Sequence, residues 1–194
     1  RMDVEGTDDE KTNFYTCFYH ALIQPNQISD VDGMYRNAAD SIVKAGTGTF
    51  YSTFSLWDTY RAAHPFYTLM VPERVDDFVN SLIEQREVQG FLPIWALWGK
   101  ENFCMIGNHG VSVIAEAYRK GFRGFDAERA FNMVKKTQTV SHPLKSDWEV
   151  YTKYGYFPTD LIKAESVSST LESVYDDYAA ADMARRMGKE EDAA

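Results

Sequence analysis

Apolar residues recur every three or four positions along most of this chain, the spacing of one buried face of an α-helix. The first such segment starts at Thr7, where Thr-Asp-Asp-Glu fits a capping box, and we expect it to end before Pro25. Its apolar positions predict one buried face, made of Phe14, Cys17, Phe18, Ala21 and Leu22.

The same spacing predicts five further helices. One runs from about 56 to 69, one from about 73 to a terminating Gly90, one from about 111 to Gly121, and one follows a capping Asp126. The last opens at a capping box over 169–172 and ends at Gly188. We expect the apolar positions of this last helix to face inward, namely Leu171, Val174, Tyr175 and Tyr178.

Two long irregular segments separate these helices, one over 26–53 with a short strand near Phe50 and one over 91–110 that is rich in Trp, Gly and Pro. Long loops within a domain are usually functional. We therefore predict a mainly α fold of antiparallel helix pairs with long aromatic loops, forming a single domain over 1–194. Residues 189–194 have the pattern of a helix start, so we expect the chain to be cut there.

The composition and charge of the chain limit the kinds of molecule that it can bind. The 194 residues carry a net charge of −9, which argues against nucleic acid and against an anionic membrane surface. No apolar run is long enough to span a bilayer, and the two cysteines, Cys17 and Cys104, form no metal or redox motif. Aromatic residues make up 14%, which fits either core packing or sugar binding.

The segment 54–65 has the highest concentration of side chains suited to ligand binding, because Trp57, Asp58, Arg61 and His64 lie within about two helical turns. An indole can stack on a sugar ring while a carboxylate and a guanidinium bind its hydroxyls. The alternative is an i, i+3 ion pair between Asp58 and Arg61 on a helix surface beside a buried Trp.

A second candidate segment, 92–109, holds two tryptophans, a carboxylate, two asparagines and a histidine before a helix. Such a loop can line a cleft, with Asn108 and His109 as its last residues, or it can simply be packed by its aromatic rings. Glu172 is a possible catalytic carboxylate, but its place in the predicted capping box favours a structural role.

The residues over 55–65, Ser-Leu-Trp-Asp-Thr-Tyr-Arg-Ala followed by His-Pro, resemble a hallmark of glycoside hydrolase family 92. Further matching pieces occur in the same order along nearly the whole chain, at 19–25, 30–36, 90–93, 104–107, 117–121, 155–158 and 166–172.

The resemblance implies a bacterial, periplasmic or extracellular exo-α-mannosidase that acts on mannose-containing glycans, inverts the anomeric centre and depends on calcium. It implies an N-terminal β-sandwich followed by an (α/α)6 toroid, of which this chain is the first half, a partial toroid. In such an enzyme Asp58 and Trp57 would lie in the pocket for the terminal mannose. Arg61, Asn108 and His109 would be their neighbours as substrate-binding residues.

Inverting hydrolysis requires a general acid and a general base, and the family's acid motif, of the Glu-Gly-Asn-Ala-Trp type, does not occur here. We therefore expect no catalytic residue in this chain, no metal ligand set, no bound calcium and no activity from the isolated chain. We also expect self-association through the uncovered face of an incomplete toroid. The alternatives are a non-catalytic helical carbohydrate-binding or interaction module and, less well matched, another glycosidase built of six helical hairpins.

Overall fold

The protein is described by a computed structural model over residues 2–194, and helices dominate that range. The α-helices are α1 (Asp8–Ala21), α2 (Leu56–Thr59), α3 (Ala63–Met70), α4 (Pro72–Gln89), α5 (Gly110–Arg119), α6 (Ala127–Thr139), α7 (Trp148–Tyr154) and α8 (Ser166–Arg186). A short 3-10 helix follows at Glu190–Asp192. The prediction of a mainly α fold is confirmed, and α7 is a helix that the sequence pattern did not reveal.

The long loops contain short strands rather than one isolated strand. They are β1 (Asn26–Gln27), β2 (Met34–Arg36), β3 (Ile42–Lys44), β4 (Tyr51–Ser52), β5 (Phe54–Ser55), β6 (Trp95–Leu97) and β7 (Lys100–Glu101). Three antiparallel sheets result, β1 with β4, β2 with β3, and β5-β6-β7. Because Phe54 pairs with Ala96 and Ser55 with Trp95, the last sheet joins the two candidate segments side by side.

The core is built by α4, α5, α6 and the inner face of α8. The predicted face of α4 is buried as expected, with Val79 and Leu82 fully inaccessible. Gly90 ends that helix in the left-handed conformation, at φ 92°, which glycine adopts without steric cost. On α5 and α6 the predicted positions Ile114 and Val134 are also fully buried.

The prediction of a buried face on α1 is wrong, although its start is correct. Thr7 and Glu10 form the expected capping box, with the Glu10 amide donating to Thr7 Oγ1 at 3.3 Å. None of the fourteen residues of α1, all within the described range, is fully buried, and Cys17 is exposed. The helix is attached near its end, where the Phe18 ring packs on that of Phe66 at 5.8 Å. The periodic pattern shows that a helix has an apolar face, but not that this chain covers it.

The predicted helix over 56–69 is broken into α2 and α3 around Tyr60, Arg61 and Ala62. Ala62 has φ −139° and ψ −45°, which no α-helix accommodates. Arg61 therefore lies in the connection between two helices rather than on a continuous helix surface.

The helix α8 begins four residues earlier than predicted, at Ser166, so no capping box forms over 169–172. Its apolar stripe points away from the protein instead of inward, with Leu171 67%, Val174 52% and Tyr178 62% exposed. The opposite face packs on the core and buries Ser173, Asp176, Met183 and Ala184. As a result Glu172 lies in the second turn of the helix, where its side chain is free to reach other elements.

No helix within 2–194 is both long enough and apolar enough to cross a bilayer. The two cysteines are exposed free thiols.

Candidate functional site

The start of α5 is fixed by a fully buried carboxylate from α8. The backbone N–H of Asn108 donates to Asp176 Oδ2 at 2.7 Å, and His109 Nδ1 lies 2.9 Å from Asp176 Oδ1. Because a carboxylate only accepts, Nδ1 is the donor in the second bond. His109 and Asp176 are both inaccessible to solvent, so this contact ties two core helices together inside the protein.

Glu172, one turn before Asp176 on the same helix, connects this buried pair to the loop that carries Arg61. Its Oε2 lies 2.9 Å from His109 Nε2, a contact that does not qualify as a hydrogen bond and that is an ion pair when the imidazole carries both protons. Its Oε1 lies 3.7 Å from Arg61 Nη2. Glu172 is therefore the carboxylate partner of Arg61, in place of the Asp58 that the spacing suggested.

Arg61 is held by aromatic rings as well as by this charge. Its Nη1 donates to the Trp57 carbonyl at 2.9 Å, and its guanidinium carbon lies 4.9 Å from the Trp57 ring centre and 4.7 Å from the Tyr60 ring centre. Tyr60 stacks in turn on the His109 ring at 3.9 Å. Burial and the nearby Glu172 carboxylate raise the pKa of the Tyr60 phenol.

Two groups beside this cluster lack protein partners. The Trp57 indole N–H is buried without an acceptor among the described residues. The Asp58 side chain is exposed and makes no hydrogen bond or ion pair within 2–194. An unpaired carboxylate and an unpaired N–H beside a guanidinium are groups suited to bind hydroxyls. The predicted Trp57, Arg61 and His109 are thus brought together, with Asp58 next to them.

His64, the fourth polar residue of the 54–65 segment, does not join this cluster. It is buried against the rings of Phe54 and Tyr67, at 6.2 and 5.3 Å between ring centres. That burial lowers the pKa of its imidazole to about 3, so it stays neutral near pH 7.

A concavity lies next to the cluster on the Arg61 side. A groove of about 390 Å³ is bounded by Tyr60, Arg61, Tyr175 and Tyr178, whereas Trp57 and Asp58 do not line it.

In the second candidate segment, Glu101 is buried and accepts from the Ile94 amide at 2.6 Å, so this carboxylate stabilises the loop.

Sequence reasoning missed Asp176, and it considered Glu172 only as a possible catalytic carboxylate, without its contacts with Arg61 and His109. The spacing of four between the two carboxylates places both on one face of a helix, and that spacing was the available signal. Within 2–194, no group of three or more His, Cys, Asp or Glu side chains is arranged to hold a metal ion.

The whole chain, residues 1–194, matches the family model described as the glycosyl hydrolase family 92 catalytic domain. It is 42% identical to the family GH92 alpha-mannosidase BT3965 from Bacteroides thetaiotaomicron over 98% of its own length, with a TM-score of 0.93. A complex of BT3965 with mannoimidazole matches at 44% identity and TM-score 0.90, covering 95% of this chain and 24% of that one.

A third solved structure, the family GH92 inverting mannosidase BT2199 from the same species, is 30% identical over 99% of this chain and 27% of its own, with a TM-score of 0.90. The chain spans about a quarter of the length of these structures, 26% in the case of BT3965. A comparison with curated proteins found no match.

Proposed function

The chain belongs to glycosyl hydrolase family 92, and from that premise we propose that it is part of the catalytic domain of an α-mannosidase. The observation that carries the proposal is its similarity to the α-mannosidase BT3965 over 98% of its residues at 42% identity. The proposed substrate is a terminal α-linked mannose of a glycan, which agrees with the mannoimidazole bound by BT3965.

The cluster around Arg61 supports a role in binding that sugar. Trp57 offers an aromatic ring beside the guanidinium, while Asp58 and Arg61 offer a charged acceptor and a charged donor. Charge-assisted hydrogen bonds to hydroxyls contribute more to binding than neutral ones. We assign the recognition of the terminal mannose to Trp57, Asp58 and Arg61. His109 and Asn108 support these residues through their hydrogen bonds to Asp176 of α8.

We further propose an exo-acting, inverting enzyme that requires calcium and is exported by a bacterium, with this chain forming the first half of an (α/α)6 toroid. Inversion requires one carboxylic acid on the leaving oxygen and one carboxylate on the attacking water, about 6.5–9.5 Å apart. Since the family's acid motif is missing from 1–194, the catalytic pair and the calcium ligands belong to other parts of the complete protein.

The test compares the complete gene product with residues 1–194 alone. We expect the complete protein to hydrolyse nitrophenyl α-mannoside with inversion, visible by NMR as initial release of β-mannose, and the isolated chain to show no turnover. Turnover by the isolated chain at a comparable rate would refute the assignment of the catalytic pair to other segments. A complete protein that binds mannose without hydrolysing the glycoside would instead establish a binding module.

We also propose that the isolated chain self-associates through the outer face of α8. Five large apolar side chains lie along that face at helical spacing, each at least 45% exposed: Val167, Leu171, Val174, Tyr175 and Tyr178. Contiguous apolar patches of this kind are typical of association surfaces.

In light scattering we expect the chain to exceed the mass of a monomer and the double variant Leu171→Lys/Val174→Lys to return to it. The matched control is Leu69→Lys on α3, because Leu69 is 76% exposed and lies outside the stripe. A monomeric wild-type chain at high concentration would contradict this proposal.

A further inference from the structure

A second concavity is lined by the segments 103–108 and 144–147 and by α8, and it holds two nucleophilic side chains. Its volume is about 290 Å³, and both Cys104 and Lys145 line it. Cys104 is exposed and carries a free thiol, whereas Lys145 is partly buried. The proposed recognition of mannose uses neither of these groups.

The turn that carries Cys104 is held by hydrogen bonds from its backbone to two side chains. Glu101 Oε1 accepts from the backbone N–H groups of Asn102 and Phe103, at 3.1 and 3.0 Å. Asn102 Oδ1 accepts in turn from the backbone N–H of Cys104 at 3.0 Å. Phe103 has a left-handed backbone, at φ 59°, which costs energy in a residue other than glycine. The turn therefore fixes the backbone of Cys104 at the edge of the cavity.

Lys145 brings a positive charge to the thiol. Burial lowers the pKa of its ammonium to about 8, while the Glu101 and Asp176 carboxylates and the Cys104 thiolate oppose that effect. At pH 7 the side chain is therefore mostly an ammonium. The attraction between two opposite charges is mutual, so the ammonium favours the thiolate form of Cys104. The thiolate, and not the thiol, is the nucleophile.

The same cavity carries a buried acceptor without a donor. Asn108 lines the cavity and is only 2% exposed, and its Nδ2 donates to Gln138 Oε1 at 3.0 Å. Its Oδ1 is buried and has no hydrogen-bond partner within 2–194. Because leaving a buried polar atom unpaired is costly, this oxygen indicates a place for a small molecule with a hydrogen to donate.

These groups together match the chemistry of a hydroperoxide. Its O–H can donate to Asn108 Oδ1, and its oxygens can accept from Lys145. The Lys145 Nζ uses one N–H on the Gly107 carbonyl, at 2.8 Å, and has further N–H groups to donate. Its O–O bond is one that a cysteine thiolate cleaves. The cavity has room for such a molecule, since one water occupies about 30 Å³ in the liquid.

We propose that Cys104 is a site of oxidation by hydroperoxides, with Lys145 as the group that stabilises its thiolate and protonates the leaving oxygen. The thiolate sulfur attacks one peroxide oxygen, the O–O bond breaks, and the second oxygen leaves with the bonding electron pair. That oxygen takes a proton from the Lys145 ammonium, which regains one from water. Cys104 is oxidised by two electrons to the sulfenic acid, and the peroxide is reduced to water or to an alcohol. This modification goes beyond the proposed α-mannosidase function and does not depend on it.

The test treats the complete protein with hydrogen peroxide at pH 7 in the presence of dimedone, which traps sulfenic acids. Peptide mass spectrometry then follows both cysteines in the same sample. Cys17 is the matched internal control, because it is also an exposed free thiol but does not line the cavity. We expect trapping at Cys104 to be about 10-fold or more faster than at Cys17, because reactivity follows the fraction of thiolate.

Substitutions at Lys145 separate its charge from its shape. Lys145→Met is expected to lower the rate at Cys104 to within about twofold of the rate at Cys17, because the favourable charge is gone. Lys145→Arg keeps the charge and is expected to retain a rate at least about threefold above that of Lys145→Met. Lys153→Met, at an exposed lysine outside the cavity, is the control and leaves both cysteines unchanged.

The pH dependence gives a second readout that needs no variant. The ammonium of Lys145 loses its proton as the pH rises through about 8, whereas carboxyl groups ordinarily titrate at about pH 4. The ratio of the Cys104 rate to the Cys17 rate is therefore expected to fall between pH 7 and pH 9. The carboxylates in and around the cavity are those of Glu101, Asp147, Glu165 and Asp176.

Equal rates at the two cysteines of the wild-type protein would overturn the proposal. A fast reaction at Cys104 that persists in a folded Lys145→Met protein would overturn it as well, since the thiol would then react without the ammonium. If Lys145→Met does not fold, the wild-type comparison and its pH dependence decide, and a ratio that stays constant from pH 7 to pH 9 counts against the role of Lys145.

Discussion

Replacing Asp176 with alanine is expected to lower the free energy of unfolding of the chain by about 3 kcal/mol or more, as is typical for breaking a buried charged pair. Asp176 is fully buried and accepts from the Asn108 amide and from the His109 ring. Alanine removes both acceptors, and water has no access to replace them. Urea unfolding followed by tryptophan fluorescence measures the change, at a concentration where light scattering shows a monomer.

The matched control is Asp182→Ala on the same helix. The Asp182 side chain is 21% exposed and pairs with Arg186 at 2.8 Å, one turn away, and with Arg119 of α5 at 3.9 Å. Pairs of this type contribute about 0.3–0.5 kcal/mol, so the control is expected to change the unfolding free energy little. Similar small values for both variants would show that the His109–Asp176 contact does not hold α5 to α8.

The local sequence pattern predicted some parts of the fold well. These are the elements whose apolar faces are covered by other residues of this chain. The buried face of α4 and the left-handed Gly90 follow from apolar spacing and backbone preference, and both are present. On α1 and α8 the same kind of pattern predicted helices correctly but misjudged which side is covered. Apolar spacing reports that a face is to be buried, and it cannot report which segment buries it.

The residues of the candidate site likewise fall into those that local sequence spacing predicted and those that it did not. Trp57, Asp58 and Arg61 were found together because they are close in sequence, within the reach of one or two helical turns. The contacts of Glu172 with His109 and Arg61 join residues 63 or more positions apart, which no local spacing encodes. The break at Ala62, by contrast, had a local signal, since Pro65 lies inside the predicted helix and has no N–H to donate to the carbonyl of Arg61, four residues back.

The substitution Asp58→Asn is expected to lower kcat/KM of the complete protein on an aryl α-mannoside by about 100-fold or more. A carboxylate accepts hydrogen bonds at both oxygens, and each bond to a charged group is worth about 1.5–3 kcal/mol. Asparagine keeps the shape but replaces one acceptor by a donor and removes the charge. Steady-state kinetics measure the loss, and unfolding of the same variant shows whether stability has changed.

Asp58 is well suited to this comparison because it has no partner in the chain. Its side chain is exposed and unpaired within 2–194, so Asp58→Asn is expected to leave the unfolding midpoint almost unchanged. Asp160→Asn, at another exposed carboxylate, controls for the loss of one surface charge. A stable Asp58→Asn protein with wild-type kcat/KM would remove Asp58 from the sugar site. A large loss without a change in stability would support a direct role of the carboxylate in binding the substrate.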